Sequence, residues 1–293
     1  MTDYLNAINN NQASEADQQR HWPAWIALGF DQARGKTRMN QMQFAGPLRV
    51  QRPFYPEGET SHVYLLHPPG GLVSGDDLHI QVDCQPQSHA LLTTPSAGKI
   101  YQADSANIEQ KQRVDISVDN AKCEWLPMET IVFDGAHGFL NTQINLYGDA
   151  RFIGMDVFCL GRTHSGLPFE QGMIEQSFNL YHNDKPLLLD RQRLGSQDPL
   201  IEALVGFNNC TVSGTLVAFG ADAPEQQVEQ LRQTMTDIEE ERCISITQRL
   251  DLILVRYLGN CSEQAQRLLR QCWHILRPAI IDKAPCVPRI WNT

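Results

Sequence analysis

Apolar and polar residues alternate with a period of two along much of the chain between residues 22 and 215. Residues 78–82 and 114–118 place apolar side chains at every second position, which is the pattern of strands that bury one face. Glycine and proline interrupt this pattern at short intervals, as the turns of a many-stranded protein require. The short apolar runs HVYLL, ALLTT, ETIVF and PLLLD predict further strands between these turns.

Two helices are predicted in the C-terminal half of the chain. Residues 223–241 space apolar side chains three or four positions apart, and Pro224 is acceptable in a first turn. A second helix is predicted to begin at the capping-box-like pair Asn260 and Glu263 and to end at Arg277-Pro278. The apolar stripe of the first helix consists of Val228, Leu231, Met235 and Ile238.

These patterns together predict a mainly β protein with two α-helices in its C-terminal half. Residues 244–257, which lie between the helices, are expected to form two more strands. Residues 1–20 contain too little apolar surface to offset the entropy of ordering, so we expect a disordered N-terminal lead. Residues 21–293 are interpreted as a single domain, because a chain of this length can bury one sizeable core.

The charge balance narrows the classes of partner. The chain has 34 Asp and Glu residues against 24 Lys and Arg residues, for a formal net charge of -10. This acidic excess would repel a phosphate backbone, so nucleic acid is not an expected partner. The apolar runs fall far short of the roughly 20 residues that cross a bilayer, and the first residues lack the apolar stretch of a secretion signal. We therefore expect a cytoplasmic protein with no membrane partner.

Two short patterns are similar to enzyme motifs. Residues 70–75 read G-x-x-x-x-G, but Asp76 and Asp77 follow where a P-loop has Lys and then Ser or Thr, and two carboxylates would repel a phosphate. Ser96 stands one residue away from the G-x-S-x-G elbow of serine hydrolases, because Thr94 replaces the first glycine. A turn-shaping role for Ser96 is favoured, and a serine hydrolase remains an alternative.

The eight cysteines contain no C-x-x-C pair, so the sequence predicts buried reduced thiols and no zinc ribbon. Cys272 and His274 lie two positions apart and face different sides of a helix, which disfavours a shared metal ion. The set most similar to a metal-binding cluster is Cys261, Cys272, His274 and Cys286.

Several long segments point to a known family. The longest, GPLRVQRPFYPEGETSHVYLLHPPGGLVSG, runs from Gly46 to Gly75 and is followed at once by Asp76 and Asp77. The others are LLTTPSAGKIYQ (91–102), EWLPMETIVFDGA (124–136), DVFCLGR (156–162), LRP (276–278) and PRIWNT (288–293). With these segments in this order, the chain resembles the UreD family of urease accessory proteins, also called UreH. The resemblance implies a large β-helix-like stack of strands with two helices.

The resemblance also implies a function without catalysis. UreD-like proteins serve as a scaffold or chaperone that binds UreF and apo-urease, and UreF recruits the GTPase UreG. Nickel is thought to pass from UreG through an internal, water-filled passage into the urease active site. Transient Ni²⁺ is therefore expected, with no permanently bound cofactor. The family's acids implicated along that passage align with Asp76, Asp156 and Asp190.

The residues themselves are compatible with such a passage. Asp156 lies between Met155 and Val157, and Asp190 follows three leucines. A carboxylate in such a place faces solvent, pairs with a cationic side chain or binds a cation. Isolated carboxylates hold Ni²⁺ more weakly than a Cys and His set would, which allows the metal to leave again. Weaker candidates for the same passage are Glu129, Asp77 and His67.

Arginine and aromatic residues at two places in the chain are candidates for a partner surface, because these residue types are enriched in the cores of interfaces. The candidates are Arg49, Arg52 and Tyr55, together with Arg289 and Trp291 near the C terminus. Stacking of arginine on aromatic rings inside the protein is the alternative for these residues.

For the function of the whole chain, the alternative is a scaffold that positions UreF and urease while nickel travels elsewhere.

Overall fold

The computed structural model describes residues 20–236 and 244–292. The predicted N-terminal lead lies outside this part of the chain except for Arg20, and Ile238 of the first predicted helix also lies outside it. Across the described ranges, no helix combines the length and the apolar character needed to cross a membrane.

Strands dominate the described residues, which confirms the predicted mainly β class. The two strands predicted between the helices are present as the last two of the chain. In chain order the strands are β1 (Trp22–Ala33), β2 (Lys36–Ala45), β3 (Arg49–Val50), β4 (Ser61–Leu66), β5 (Asp76–Cys84), β6 (His89–Thr93), β7 (Gly98–Ile100), β8 (Gln110–Asp119), β9 (Lys122–Leu126), β10 (Thr130–Val132), β11 (Ala136–Tyr147), β12 (Arg151–Leu160), β13 (Gly172–His182), β14 (Lys185–Gly195), β15 (Val212–Phe219), β16 (Ile244–Arg249) and β17 (Leu252–Gly259).

The strands form two large sheets. The first has the order β14-β13-β11-β8-β5-β1-β2, and the second has the order β16-β17-β15-β12-β9-β6-β4-β3 with β10 and β7 beside β12. Neighbouring strands from β1 to β13 in the first sheet run parallel, as do β4, β6, β9 and β12 in the second. From β8 to β13 the chain crosses repeatedly from one sheet to the other. Both sheets are mixed, with antiparallel strands at their edges, and this winding between their parallel parts is the predicted β-helix-like stack.

The alternating pattern of the sequence explains how the sheets pack. Every second residue of β11 from Ala136 to Leu146 is buried. Side chains of both sheets, such as Val114, Ile144 and Phe152, form a core between them. β15 is buried at every position because the other face of its sheet is covered as well. That second core contains side chains of the second sheet and of both helices.

The first helix, α1 (Pro224–Thr236), begins with the proline that the sequence placed in its first turn. Val228, Leu231 and Met235 are buried in the second core, as the predicted apolar stripe requires. The stripe is therefore confirmed over the described part of this helix.

The second helix, α2 (Ser262–Ile281), differs from the prediction at both ends. Cys261 is the N-cap residue and makes no side-chain capping bond, while Asn260 instead accepts a hydrogen bond from the Thr211 backbone at 2.9 Å. The predicted capping box is therefore wrong. Pro278 lies inside the helix rather than at its end, because the turn that follows it buries Ile280 and Ile281 completely.

Candidate functional site

A cavity of about 360 Å³ lies between the two sheets, on the side of the glycine-rich segment that precedes β5. Asp156 of β12 is the one acidic side chain among the described residues that line it. The wall also carries polar groups from both sheets and from the loops between them. They include His67, Ser96, Lys99, Gln112, Asn141 and Thr142.

The carboxyl group of Asp156 has a strongly shifted pKa. Burial raises the pKa of Asp156 to about 6, and the negative charge of Asp190 acts in the same direction, whereas a hydrogen bond from Gln176 lowers it. Its carboxyl group therefore changes charge close to neutral pH. A carboxyl group of this kind can exchange a proton for a metal ion at little cost.

Asp190 of β14 lies beyond Asp156 and is paired with a cation. Its carboxylate accepts a hydrogen bond from Arg256 of β17 at 2.7 Å, and Arg256 also donates to the Thr215 hydroxyl at 3.3 Å. Asp156, Thr215 and Arg256 are direct partners across β12, β15 and β17. The three side chains thus form one polar row across the second sheet, and Asp190 of the first sheet closes over that row.

The polar row leads to a second cavity. Arg256 lines this second cavity, which has a volume of about 540 Å³ and a wall that includes Ser213 and Tyr257. Asp156 lines the first cavity and Arg256 lines the second, so the polar row connects the walls of the two cavities. Asp190 is bonded to the Arg256 end of that row. Arg191 and Arg193 make the second cavity basic on one side.

Asp76 is associated with the His67 side of the first cavity. It begins β5, and its carboxylate accepts a hydrogen bond from the Val73 backbone at 2.8 Å. Burial lowers the pKa of His67, and the charge of Asp76 partly offsets that effect. Burial thus favours the neutral imidazole of His67, and Asp76 is the acid whose charge acts on it.

The weaker candidates lie elsewhere. Glu129 accepts a hydrogen bond from Gln266 at 3.3 Å and lines a third cavity beside α2, so it does not share the wall that carries Asp156. The Asp77 carboxylate lies 3.1 Å from the His21 ring nitrogen Nε2 at the surface. Across the two sheets, the charge of Asp190 reaches Asp156 and raises the pKa of its carboxyl group.

The first group of partner candidates lies at the surface and is partly engaged. The Arg49 guanidinium stacks on the Phe44 ring at 4.1 Å. Tyr55 is half-buried beneath the Lys36 ammonium group, 3.4 Å from the ring centre. Arg52 is exposed. These residues remain a prediction for a partner surface.

The second group of partner candidates contains one exposed residue, Arg289, and one packed residue, Trp291. Arg289 is exposed in a short 3-10 helix, Arg289–Asn292. Trp291 of the same turn donates a hydrogen bond from Nε1 to the Thr93 hydroxyl at 2.9 Å. Its ring packs edge-on against Trp273 at 5.6 Å, and Arg270 stacks over it at 4.2 Å. Trp291 therefore anchors the C terminus to α2 and the second sheet.

A buried ion network that was not predicted from the sequence centres on Arg277. Arg277 of α2 is fully buried and donates hydrogen bonds to both Glu57 and Glu124. His62 bonds to Glu57 at 2.6 Å, and His89 bonds to Glu124 at 2.9 Å. Burial alone would raise the pKa of Glu57, but the hydrogen bonds from His62 and Arg277 lower it to about 2. The one available signal was a charged residue, Arg277, on the apolar side of a predicted helix.

The structure also bears on the turn that contains Ser96 and on the predicted cysteine and histidine cluster. Thr94 donates to the Ser96 carbonyl at 3.2 Å, which is a local turn contact. It accepts from the Met128 backbone at 2.9 Å, which ties this turn to a distant part of the chain. Among the described residues, the group with metal-ligand spacing is Glu57, His62 and Cys286. It does not contain the Cys261, Cys272 and His274 of the predicted set.

The fold and the site define a mainly β protein with acidic side chains in and beside an internal polar cavity. The model of the UreD urease accessory protein family matches residues 23–292. The chain therefore belongs to the UreD family.

Relatives that match nearly the whole chain carry the same family name. The urease accessory protein UreD of Chromohalobacter salexigens is 45% identical over 94% of this chain and 91% of its own length. The protein of the same name from Pseudoalteromonas translucida is 44% identical over 94% of this chain and 93% of its own length. That of Marinobacter nauticus is 42% identical and covers 100% of both chains. Membership in this family implies a role in urease maturation.

Proposed function

We propose that this chain is a non-enzymatic urease maturation factor that binds UreF and apo-urease and passes nickel from UreG toward the urease active site. The nickel moves through the interior between the two sheets. The observation that carries this proposal is the polar row of Asp156, Thr215 and Arg256, with Asp190 closed over it, between two cavities. Packing of an apolar core does not require such a row of polar side chains.

The separation of the acids supports transport rather than storage. Asp156 and Asp190 belong to different sheets, and with Asp76 they form no closed set of ligands in the described residues. Each position offers Ni²⁺ one carboxylate plus water, which is weak binding for this metal. A route for ions needs sites that are favourable enough to enter and weak enough to leave.

The ion pair gives the passage a barrier. Ni²⁺ that reaches Asp190 must displace Arg256, whose guanidinium occupies the carboxylate at 2.7 Å. Displacing Arg256 breaks the ion pair, and the ion pair forms again when the metal leaves. Arg256 therefore limits how long nickel stays at Asp190. Partner binding beside the second cavity can move Arg256 away and open the route.

The first test is urease activity and nickel content per urease in cells that carry the urease genes with and without this chain. We expect nickel-poor, inactive urease in its absence and recovery when it is restored. Fully loaded urease without the chain would overturn the maturation role.

The second test separates transport from scaffolding. Asp76→Asn, Asp156→Asn and Asp190→Asn are introduced singly, with the exposed Asp149→Asn as the matched control. Transport predicts lower nickel content at the three interior positions while UreF and urease still co-purify. The scaffold alternative is favoured by the fact that Arg256 already satisfies Asp190, and it predicts unchanged nickel content whenever the complex forms.

A further inference from the structure

Three glutamines of the first sheet stand at one level and face the second sheet. Gln112 of β8 and Gln176 of β13 both pair with Leu140 of β11, and Gln176 pairs with Gln192 of β14. We call Gln112, Gln176 and Gln192 the glutamine row. Because alternate side chains of a strand share a face, all three point between the sheets. Each is two positions from a buried core residue of its own strand, namely Val114, Phe178 and Leu194 in turn.

The glutamine row links the two cavities, as the polar row of the second sheet does. Gln112 lines the first cavity, and Gln192 lines the second. Gln176 stands between them in the sheet, is buried, and donates a hydrogen bond to Asp156. The connection between the two cavities therefore has polar side chains on both of its walls.

Gln192 has an unused hydrogen-bond acceptor. Its Oε1 is buried and has no hydrogen-bond partner within residues 20–236 and 244–292. Buried polar atoms in folded proteins are nearly always satisfied, either by other protein groups or by ordered water. Asp190 lies two positions away on the same face of β14, at a spacing of about 7 Å along the strand. The acceptor of Gln192 therefore points to a donor from outside the chain, close to an acid of the proposed passage.

Packing gives no reason for a glutamine at this position. Leu140 occupies the same level of the sheet, and Leu188 and Leu194 are buried on the same face of β14. An inward glutamine with an unpaired oxygen lowers stability relative to an apolar side chain of similar volume. A residue that breaks the packing pattern at a cavity wall is expected to serve a function.

A hydrated divalent cation fits this arrangement. Water bound to such an ion is polarised by the metal and is therefore a strong hydrogen-bond donor. A neutral amide oxygen can hold the ion through this water and release it again, as the lining of an ion passage requires. Arg256 already occupies the carboxylate of Asp190, so an ion that leaves Asp156 needs another acceptor nearby.

We propose that the amide oxygen of Gln192 accepts a hydrogen bond from the water shell of a divalent cation that moves from Asp156 toward the second cavity. This inference rests on the proposed nickel passage and adds the form of its cargo, which is an ion that keeps bound water. Gln176 is a positioning residue, because its amide holds the carboxyl group of Asp156 on the strand next to Gln192.

Two substitutions of similar length separate hydrogen bonding from packing at Gln192. Gln192→Met removes the acceptor, whereas Gln192→Glu keeps one. In cells with limiting nickel, Gln192→Met should lower the nickel content per urease about threefold, as loss of one neutral hydrogen bond would. Gln192→Glu should retain the nickel content. Gln143→Met is the matched control and should have no effect, because Gln143 is half-buried in the middle of β11 on the face that points away from the cavities.

The stability of the purified chain is the second measurement. Gln192→Met should leave the urea midpoint of unfolding unchanged or raise it, because it removes an unpaired buried acceptor. A lower midpoint together with the loss of nickel, or an equal loss of nickel in Gln192→Glu, would overturn the inference in favour of packing.

Asp156→Asn in the same cells separates this inference from the proposed function. Loss of nickel in both Asp156→Asn and Gln192→Met supports the inference. Loss in Asp156→Asn with full nickel content in Gln192→Met overturns the role of Gln192 and leaves the passage standing. Full nickel content in both variants overturns the passage as well.

Discussion

At the scale of single residues, the buried charges determine how the chain responds to pH and to substitution. Asp156 has a pKa of about 6 in the folded chain against an ordinary value of 3.8, because it is enclosed between the sheets. The folded protein therefore binds this proton more tightly than the unfolded chain does. The contribution of Asp156 to stability is greatest below about pH 4 and declines as the pH rises to about 6.

Asp156→Asn should remove this penalty, since the amide is uncharged at every pH. One pKa unit corresponds to about 1.4 kcal/mol, so the free energy of unfolding at neutral pH should rise by an amount on the order of 3 kcal/mol. Urea unfolding at a series of pH values measures the effect. An increase of equal size below pH 4 would contradict the explanation, because both forms are neutral there.

Arg277 should be among the most sensitive residues of the chain. Arg277→Met leaves the carboxylates of Glu57 and Glu124 without their shared cation in a buried place, which should cost about 3–5 kcal/mol. Arg191→Met is the control, because Arg191 forms a solvent-exposed ion pair with Glu175 and its loss should cost far less than the loss of Arg277. Denaturant unfolding of both variants compares them. Equal costs would show that the network contributes no more than a surface pair.

At the scale of secondary-structure elements, the position of Asp76 depends on the turn before β5. Gly75 has a backbone φ of +88°, and a Cβ there would overlap the carbonyl oxygen of Arg20. Gly75→Ala should therefore destabilise the chain by about 3 kcal/mol or more. Gly70 has a similar φ of +81° with nothing within 4 Å of a Cβ, so Gly70→Ala should cost only about 1–2 kcal/mol for the left-handed backbone. Thermal or urea unfolding measures the difference.

The pairing of β14 with the interior of the second sheet can be tested through Arg256. Arg256→Gln removes the cation from Asp190, so the purified chain should gain a weak Ni²⁺ site that isothermal titration detects. The gain should disappear in the double variant Arg256→Gln/Asp190→Asn. Arg191→Gln, which changes an arginine of β14 that pairs with Glu175, should have no effect. Unchanged nickel binding in Arg256→Gln would remove Asp190 from the proposed route.

At the scale of the whole molecule, the C terminus has two separable roles. Trp291→Ala loses a hydrogen bond and two ring contacts and should cost about 2–4 kcal/mol of stability. Arg289→Ala changes an exposed side chain and should leave stability within about 0.5 kcal/mol. If Arg289 belongs to the partner surface, its substitution should weaken co-purification with UreF without destabilising the chain. Full retention of UreF by Arg289→Ala would assign this end of the chain to internal packing alone.

Much of the architecture follows from local patterns, whereas the site does not. The alternation in β11 and the stripe of α1 appear in the structure because side chains at short, regular spacings share a face of a strand or helix. The end of α2 was wrongly predicted because burial of Ile280 and Ile281 outweighs the local effect of Pro278. Local propensity yields to packing wherever an apolar surface is available nearby.

The amino-acid sequence by itself determined the mainly β class, the two late helices and membership in the UreD family. Only the tertiary structure decided that Asp190 faces Arg256, that Glu129 lies beside another cavity, and that Glu57 meets Arg277 across 220 positions of the chain. The reason is physical. Periodicity depends on neighbours within a few residues, but the partner of a buried charge depends on how two sheets and a helix align when they pack.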